Sequence, residues 1–380
     1  MQNKKAQKLS GLHTDKYCPY NSTKTNPMKK PFLLLLLFCF IITVQAQKKE
    51  FKCKDIYEAA KLIDAGKYDE SIAMLKECEK ADPTEHAYPY EIALAYTYKE
   101  EYQKAIDQLE KIKNYKDLGP DYYQLLGNAY DYAKNPKKAI SVYDEGLVKF
   151  PNAGRLYLEK GVIYESQENY NDAVLSYEKG MKVDPMYPSN YYRAALLYLN
   201  SDNKLAGLMY GEIFMNLERT TKRTIKISEL LFNAYKDNIK FNDTGAKIDF
   251  CHIVIDSNSI NDKEIKLSFC EVFGFSFILS TLNQKEITLQ SLSEIRTSFI
   301  KYHFEKNAQK YPNVVLEYHK KLLDLGLFDA YNHYLFQMGA ETEFNQWQTN
   351  NKEPYEKFVN WYQDPENELK ITQENIFLSN

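Results

Sequence analysis

Residues 120–151 read PDYYQLLGNAYDYAKNPKKAISVYDEGLVKFP, and residues 154–185 read GRLYLEKGVIYESQENYNDAVLSYEKGMKVDP. Laid one over the other, they place Tyr123 on Tyr157, Gly127 on Gly161, Tyr130 on Tyr164, Ala139 on Ala173, Tyr143 on Tyr177 and Pro151 on Pro185. The offset is thirty-four residues, and it continues outward. Pro83, Asp117, Pro151 and Pro185 each close a unit, while Ser71, Ala105, Ala139 and Ala173 recur at the same interval inside it. With the closing residue numbered 32, the units begin at Lys52, His86, Pro120, Gly154 and Pro188. A period of this size predicts a solenoid of helical hairpins, in which each hairpin buries its apolar face only against its neighbours.

The internal logic of a unit is steric. A small residue stands at position 8 (Ala59, Ala93, Gly127, Gly161, Ala195), where it lets two helices approach closely. A larger one at position 11 (Leu62, Tyr96, Tyr130, Tyr164, Tyr198) fills the space beside it. A second small residue at position 20 nests the following helix, and the proline at 32 ends it because proline cannot continue a helix. The segments Gly66–Ile72 and Asn169–Val174 read as the turn between the two helices. Together these positions resemble the tetratricopeptide repeat over Lys52–Arg219. The fifth unit departs from the pattern, with Gly207 and Gly211 in its second helix and no closing proline.

The resemblance implies an all-α solenoid whose concave face is lined by the first helix of each hairpin, chiefly at positions 2, 5, 9, 12 and 13. Carried over, those positions give Tyr90, Leu94, Thr97 and Tyr98 in the second unit, and Asp121, Gln124, Asn128, Asp131 and Tyr132 in the third. The fourth gives Arg155, Leu158, Val162, Glu165 and Ser166, and the fifth Tyr192 and Leu196. Such a mixed aromatic, amide and acidic surface suits an extended peptide or a partner helix; inter-helix packing is the alternative role for each tyrosine. Chaperone-binding members of the family clamp a terminal carboxylate with Lys at position 5 and Asn at position 9. Here position 5 holds Ile56, Tyr90, Gln124, Leu158 and Tyr192, and Asn128 alone matches, so a chaperone-tail receptor is not expected.

Ahead of the repeats, Met28-Lys29-Lys30 precedes an apolar run from Phe32 to Val44, followed by the small-residue exit Val44-Gln45-Ala46. Thirteen residues are too few to cross a bilayer, for which about eighteen or more are needed, so 28–46 reads as a secretory signal peptide. An uncleaved anchor is the alternative. Phe38 before Cys39 argues against a lipoprotein processing site, and the polar residues 1–27 read as an extension ahead of the true start. Loss of 1–46 removes seven Lys and one Asp, leaving 42 Lys+Arg against 51 Asp+Glu and a net charge of -9. A surface this acidic repels phosphates, which excludes nucleic acid as an expected partner. The expected setting is the periplasm or cell envelope, with secretion beyond it as the other possibility, and with no stable membrane span once the signal is gone.

Four cysteines remain: Cys53, Cys78, Cys251 and Cys270. An even number in an oxidising compartment allows disulfides Cys53–Cys78 and Cys251–Cys270, against four buried free thiols. Past Arg219 the period is lost. The pattern predicts a helix over 228–240, a short strand or hairpin over 247–256, a buried core helix over 265–282 and a long amphipathic helix over 289–306. Pro312–Leu325 and Leu327–Gln337, joined at Gly326, read as a degenerate repeat, since His319 and Tyr331 stand where small residues belong. Phe344 with Trp347, and Phe358 with Trp361, each share a helix face, as a cap on the core or as an exposed anchor. The region resembles C-terminal parts found behind export signals in envelope proteins of Gram-negative bacteria.

No nucleophile elbow, phosphate loop, His-Glu-x-x-His or paired Cys-x-x-Cys occurs. Cys251-His252 is not a dyad on a strand, where neighbours face opposite ways. No catalytic residue, cofactor or metal site is assigned. The expected organisation is a repeat solenoid over 47–219, a mainly helical C-terminal domain over 220–365 and a tail over 366–380. Its expected role is a non-catalytic scaffold that holds a protein or peptide of the envelope. The alternatives are an enzyme with its catalytic part in the C-terminal half, and a glycan binder.

Overall fold

The thirty-four-residue period is realised as five antiparallel helix pairs in a computed structural model that describes residues 50–243, 245–251 and 267–379. The signal run and the extension before it lie outside the described residues. The pairs are α1 (Ile56–Asp64) with α2 (Tyr68–Ala81), α3 (Ala87–Tyr98) with α4 (Tyr102–Ile112), and α5 (Pro120–Tyr132) with α6 (Pro136–Lys149). They continue as α7 (Gly154–Ser166) with α8 (Tyr170–Val183) and α9 (Pro188–Tyr198) with α10 (Lys204–Leu217). The small residues act as the steric reading requires. A Cβ on Gly127 would lie 2.0 Å from the Tyr143 ring, and one on Gly161 would lie 2.3 Å from that of Tyr177. Ser71, at position 20, is buried and donates its hydroxyl to the Ala59 carbonyl, at position 8, over 2.9 Å.

The turns repeat as closely as the helices. Position 15 is left-handed in four units: Gly66 (φ 75°), Glu100 (φ 61°), Lys134 (φ 65°) and Glu168 (φ 62°). The next N–H returns to the position 11 carbonyl, Lys67 to Leu62, Glu101 to Tyr96, Asn135 to Tyr130 and Asn169 to Tyr164, at 2.8–2.9 Å. This closes each first helix with a Schellman motif. The fifth unit forms its hairpin without the left-handed residue; Asn203 caps α10 by accepting from the Ala206 N–H at 3.3 Å.

The C-terminal region begins with α11 (Lys222–Asn238), longer at its start than expected because Thr221 and Thr224 form a capping box there. A two-stranded antiparallel hairpin follows, β1 (Ile239–Asn242) with β2 (Gly245–Ile248), pairing Ile239 with Ile248. The expected strand over 247–256 thus starts earlier and ends at Ile248: Asp249–Cys251 are not strand, and 252–256 lie outside the described residues. Next comes α12 (Phe269–Ser280), and here the buried-helix expectation is corrected. Val272, Phe273 and Phe277 are buried, but Phe275, Leu279 and Leu282 are 56%, 48% and 71% exposed. A helix segment apolar on every side carries no stripe from which its outer face could be read.

The amphipathic α13 (Leu289–Lys306) matches its expected span. The last helices are α14 (Val314–Asp324), α15 (Phe328–Phe336), α16 (Glu341–Asn350) and α17 (Lys352–Gln363). Between α14 and α15, Gly326 is left-handed (φ 69°) and the Leu327 N–H returns to the Leu322 carbonyl at 2.8 Å. The turn is that of the repeats, with Pro312 at position 1. Phe344 and Phe358 are buried, Trp347 stacks on His333 at 4.0 Å, and Lys321 lies 5.0 Å from the Trp361 ring, so both pairs belong to the core and its edge.

One hydrophobic cluster covers Ile56 to Ile163, and a second runs from Leu158 through α9–α17 to Ile371. The end of the period at 219 is therefore not a break in the core. The tail joins it too: Leu369 and Ile371 are buried, and Phe377 packs 5.5 Å from Tyr210. Both cysteine pairs are disulfides. Cys53–Cys78 (Cα–Cα 5.3 Å) fastens the entry of α1 to the end of α2, and Cys251–Cys270 (Cα–Cα 6.2 Å) fastens the chain after β2 to α12.

Candidate functional site

Consecutive first helices touch one another, α1 with α3, α3 with α5, α5 with α7 and α7 with α9. Consecutive second helices do not pack together to the same extent. The array therefore bends with its first helices inside, and their free side chains form the inner face.

Two tyrosine rows cross this face near the turns. Tyr98 stacks on Tyr68 of the preceding unit, with centroids 5.8 Å apart and planes 15° apart. Tyr132 leans on Tyr102 of the preceding unit at 5.3 Å. Tyr98 is still 42% exposed, so its outer face is open to a partner. Tyr90 and Leu94 are half-buried against the first cluster. Burial raises the hydroxyls of Tyr90 and Tyr132 above the usual tyrosine range, with carboxylates nearby adding to the effect. Tyr192 stands apart from these rows, 5.1 Å from Phe214 and under the Arg223 guanidinium.

The polar candidates divide. Asn128 is buried, and its Oδ1 accepts from the Tyr143 hydroxyl at 2.5 Å. Leu158 is buried in the second cluster. Neither presents a free side chain to a partner: Asn128 is held by Tyr143 of its own hairpin, and Leu158 is packed into the core. Arg155 pairs with Asp121 across adjacent first helices. Gln124 donates to Glu159 at 2.7 Å, and Glu165 accepts from Tyr177 at 2.8 Å and pairs with Arg193 at 2.9 Å. Asp131 accepts no side-chain bond among the described residues, and burial pushes its carboxyl up, partly offset by Lys134.

Position 6 also faces inward, which the family register alone did not indicate. Glu159 and Arg193 stand there, bridging to neighbouring units, and so does Glu91. A charged residue at position 6 in three of five units was the available signal. Glu91 has neither a hydrogen-bond partner nor an ion pair among the described residues, and burial pushes its carboxyl up to about 7.

Among the described residues the metal-type grouping is Cys53, Asp55 and Cys78, whose two sulfurs are bonded to each other, leaving one carboxylate. Cys251 is likewise tied to Cys270, and His252 lies outside the described residues. No helix among the described residues is long and apolar enough to cross a membrane.

Residues 125–191 match the family model described as tetratricopeptide repeat. Over that stretch, which runs from within α5 to within α9, the chain is similar to tetratricopeptide repeats. Among curated proteins, the chain is similar to the general transcriptional corepressor trfA of Dictyostelium discoideum, 23% identical over 121 residues, 31% of this chain and 9% of that relative. The match thus spans less than a tenth of the relative's length. Among solved structures, the chain is similar to TTC0263, a tetratricopeptide repeat protein of Thermus thermophilus. The two are 17% identical, with TM-score 0.39, over 46% of this chain and 96% of that one. A tetratricopeptide repeat protein of Parabacteroides merdae is 13% identical, with TM-score 0.38, over 80% of this chain and 97% of that one.

Proposed function

We propose that this chain is an exported, non-catalytic scaffold of the bacterial cell envelope that holds a peptide or protein segment along the inner face of its repeats. Tetratricopeptide arrays in general serve protein–protein interaction. The observation that carries the reading to this face is the pair of tyrosine rows, Tyr68 with Tyr98 and Tyr102 with Tyr132. Rigid aromatic side chains already held in place by their neighbours offer contact area at little entropic cost on binding. Export is supported by the apolar run over 32–44 and by two disulfides, which persist in oxidising compartments.

The test is crosslinking capture from an envelope fraction with residues 47–380, beside the Tyr98→Ala/Tyr132→Ala variant. One dominant protein captured by the parent and lost in the variant is the expected result. Equal capture by both would move the site to the C-terminal helices. No captured protein would favour glycan binding or catalysis instead.

A further inference from the structure

At positions 2, 5, 6, 9, 12 and 13 of the five units, the inner face carries six carboxylates: Asp64, Glu91, Asp121, Asp131, Glu159 and Glu165. Against them stand two cations, Arg155 and Arg193. Both cations are already committed, Arg155 to Asp121 and Arg193 to Glu165. Three of the carboxylates, Asp64, Glu91 and Asp131, have no side-chain hydrogen bond or ion pair among the described residues. These three flank the tyrosines: Asp64 and Glu91 bear electrostatically on Tyr98, and Asp131 on Tyr132. The surplus charge and the open face of Tyr98 therefore share one stretch of the groove with the half-buried Tyr132, across the first three units.

An aromatic face beside an unpaired carboxylate is matched by one side-chain chemistry. A guanidinium or ammonium group is drawn to the ring quadrupole and gains an ion pair at the same place. An acidic segment would meet repulsion. A purely apolar one would leave Glu91 and Asp131 desolvated with no compensation.

Resting on the groove reading above, we infer that the segment bound across the first three units is basic, with Lys or Arg side chains seated between Tyr98, Tyr132 and the carboxylates of Glu91 and Asp131. The carboxylates then select the sign of the partner and the tyrosines hold it.

The experiment uses residues 47–380 and two fluorescein-labelled eight-residue probes, one alternating Arg with Ser and one alternating Glu with Ser, followed by anisotropy at about physiological ionic strength. The Arg probe is expected to bind and the Glu probe not to. Glu91→Gln/Asp131→Asn should weaken the Arg probe about tenfold or more, as removal of a desolvated ion-pair partner does. The control Asp107→Asn/Glu145→Gln makes the same charge change on exposed second-helix residues and should cost less than about twofold. Equal losses in the two variants would reduce the effect to overall charge and overturn the inference, as would tighter binding of the Glu probe. A protein captured through Tyr98 and Tyr132 whose retention ignores Glu91→Gln/Asp131→Asn would leave the groove standing and remove its basic selectivity. Failure of every Tyr-dependent capture would instead remove the groove reading itself.

Discussion

Glu91, at position 6 on the inner side of α3, has no ion-pair partner among the described residues, and burial pushes its carboxyl up to about 7 from an ordinary 4.5. The native state therefore holds this proton more tightly than the unfolded chain does. Its contribution is fully present below pH 4.5 and declines as pH rises, until it is lost once pH passes about 7. Glu91→Gln removes the ionisation. In denaturant unfolding at pH 8 the variant should be more stable by on the order of 2–3 kcal/mol, and at pH 4.5 the two should coincide. A variant no more stable than the parent at pH 8 would mean that water or a partner group compensates the charge. A residue kept at such a cost where Gln would fit is what a binding surface, not a folding core, retains.

At the scale of the element, the inter-helix turn shows what was legible and what was not. Gly66 and Gly326 announce left-handed positions by being glycine. Glu100, Lys134 and Glu168 adopt the same conformation, and no local propensity points there; only the thirty-four-residue register aligns them with Gly66. The helices were readable for the same reason, since Gly127 and Gly161 against Tyr143 and Tyr177 are a repeated steric fit. The groove was readable less completely. Tyr98 and Tyr132 follow from the register, whereas the burial of Asn128 under Tyr143 and of Leu158 in the second cluster depends on side-chain packing, which the register does not contain. The turn yields its own prediction. Lys134→Gly and Glu168→Gly relieve a side chain from left-handed backbone and should each raise unfolding stability by about 1 kcal/mol, with Gly66→Ala costing about as much. Denaturant midpoints of the three variants check this. Destabilisation by Lys134→Gly would show that its side chain, not its backbone, fixes the turn.

Across the whole molecule, the repeats and the C-terminal helices are joined by one buried cluster of charge. Glu212 on α10 meets Arg296 of α13 at 2.7 Å, accepts from Tyr331 of α15 at 2.8 Å and touches His319 of α14. His319 and Tyr331 are the residues at positions 8 and 20 of the degenerate hairpin. Where the other units put small residues to bring two helices together, this one puts a ring on each helix and directs both at Glu212. Burial alone would raise that carboxyl, but Arg296 and His319 overcome it and hold it at about 2. The stabilisation it gives is complete above pH 4.5 and is lost as pH falls toward about 2. Arg296→Met leaves Glu212 buried and uncompensated, at a cost of about 3–5 kcal/mol, while Glu212→Leu/Arg296→Met removes both charges and should recover most of it. Because the second cluster runs continuously from Leu158 to Ile371, the loss should not stay at the C-terminal end. Hydrogen exchange in Arg296→Met should speed up together across α9–α17, including the two repeat helices, while α1–α6 keep their protection within the other cluster. Exchange that rose only after α10 would place the structural boundary where the sequence period ends. Exchange that rose uniformly from α1 would make the array a single cooperative unit, with its binding face coupled to the C-terminal helices.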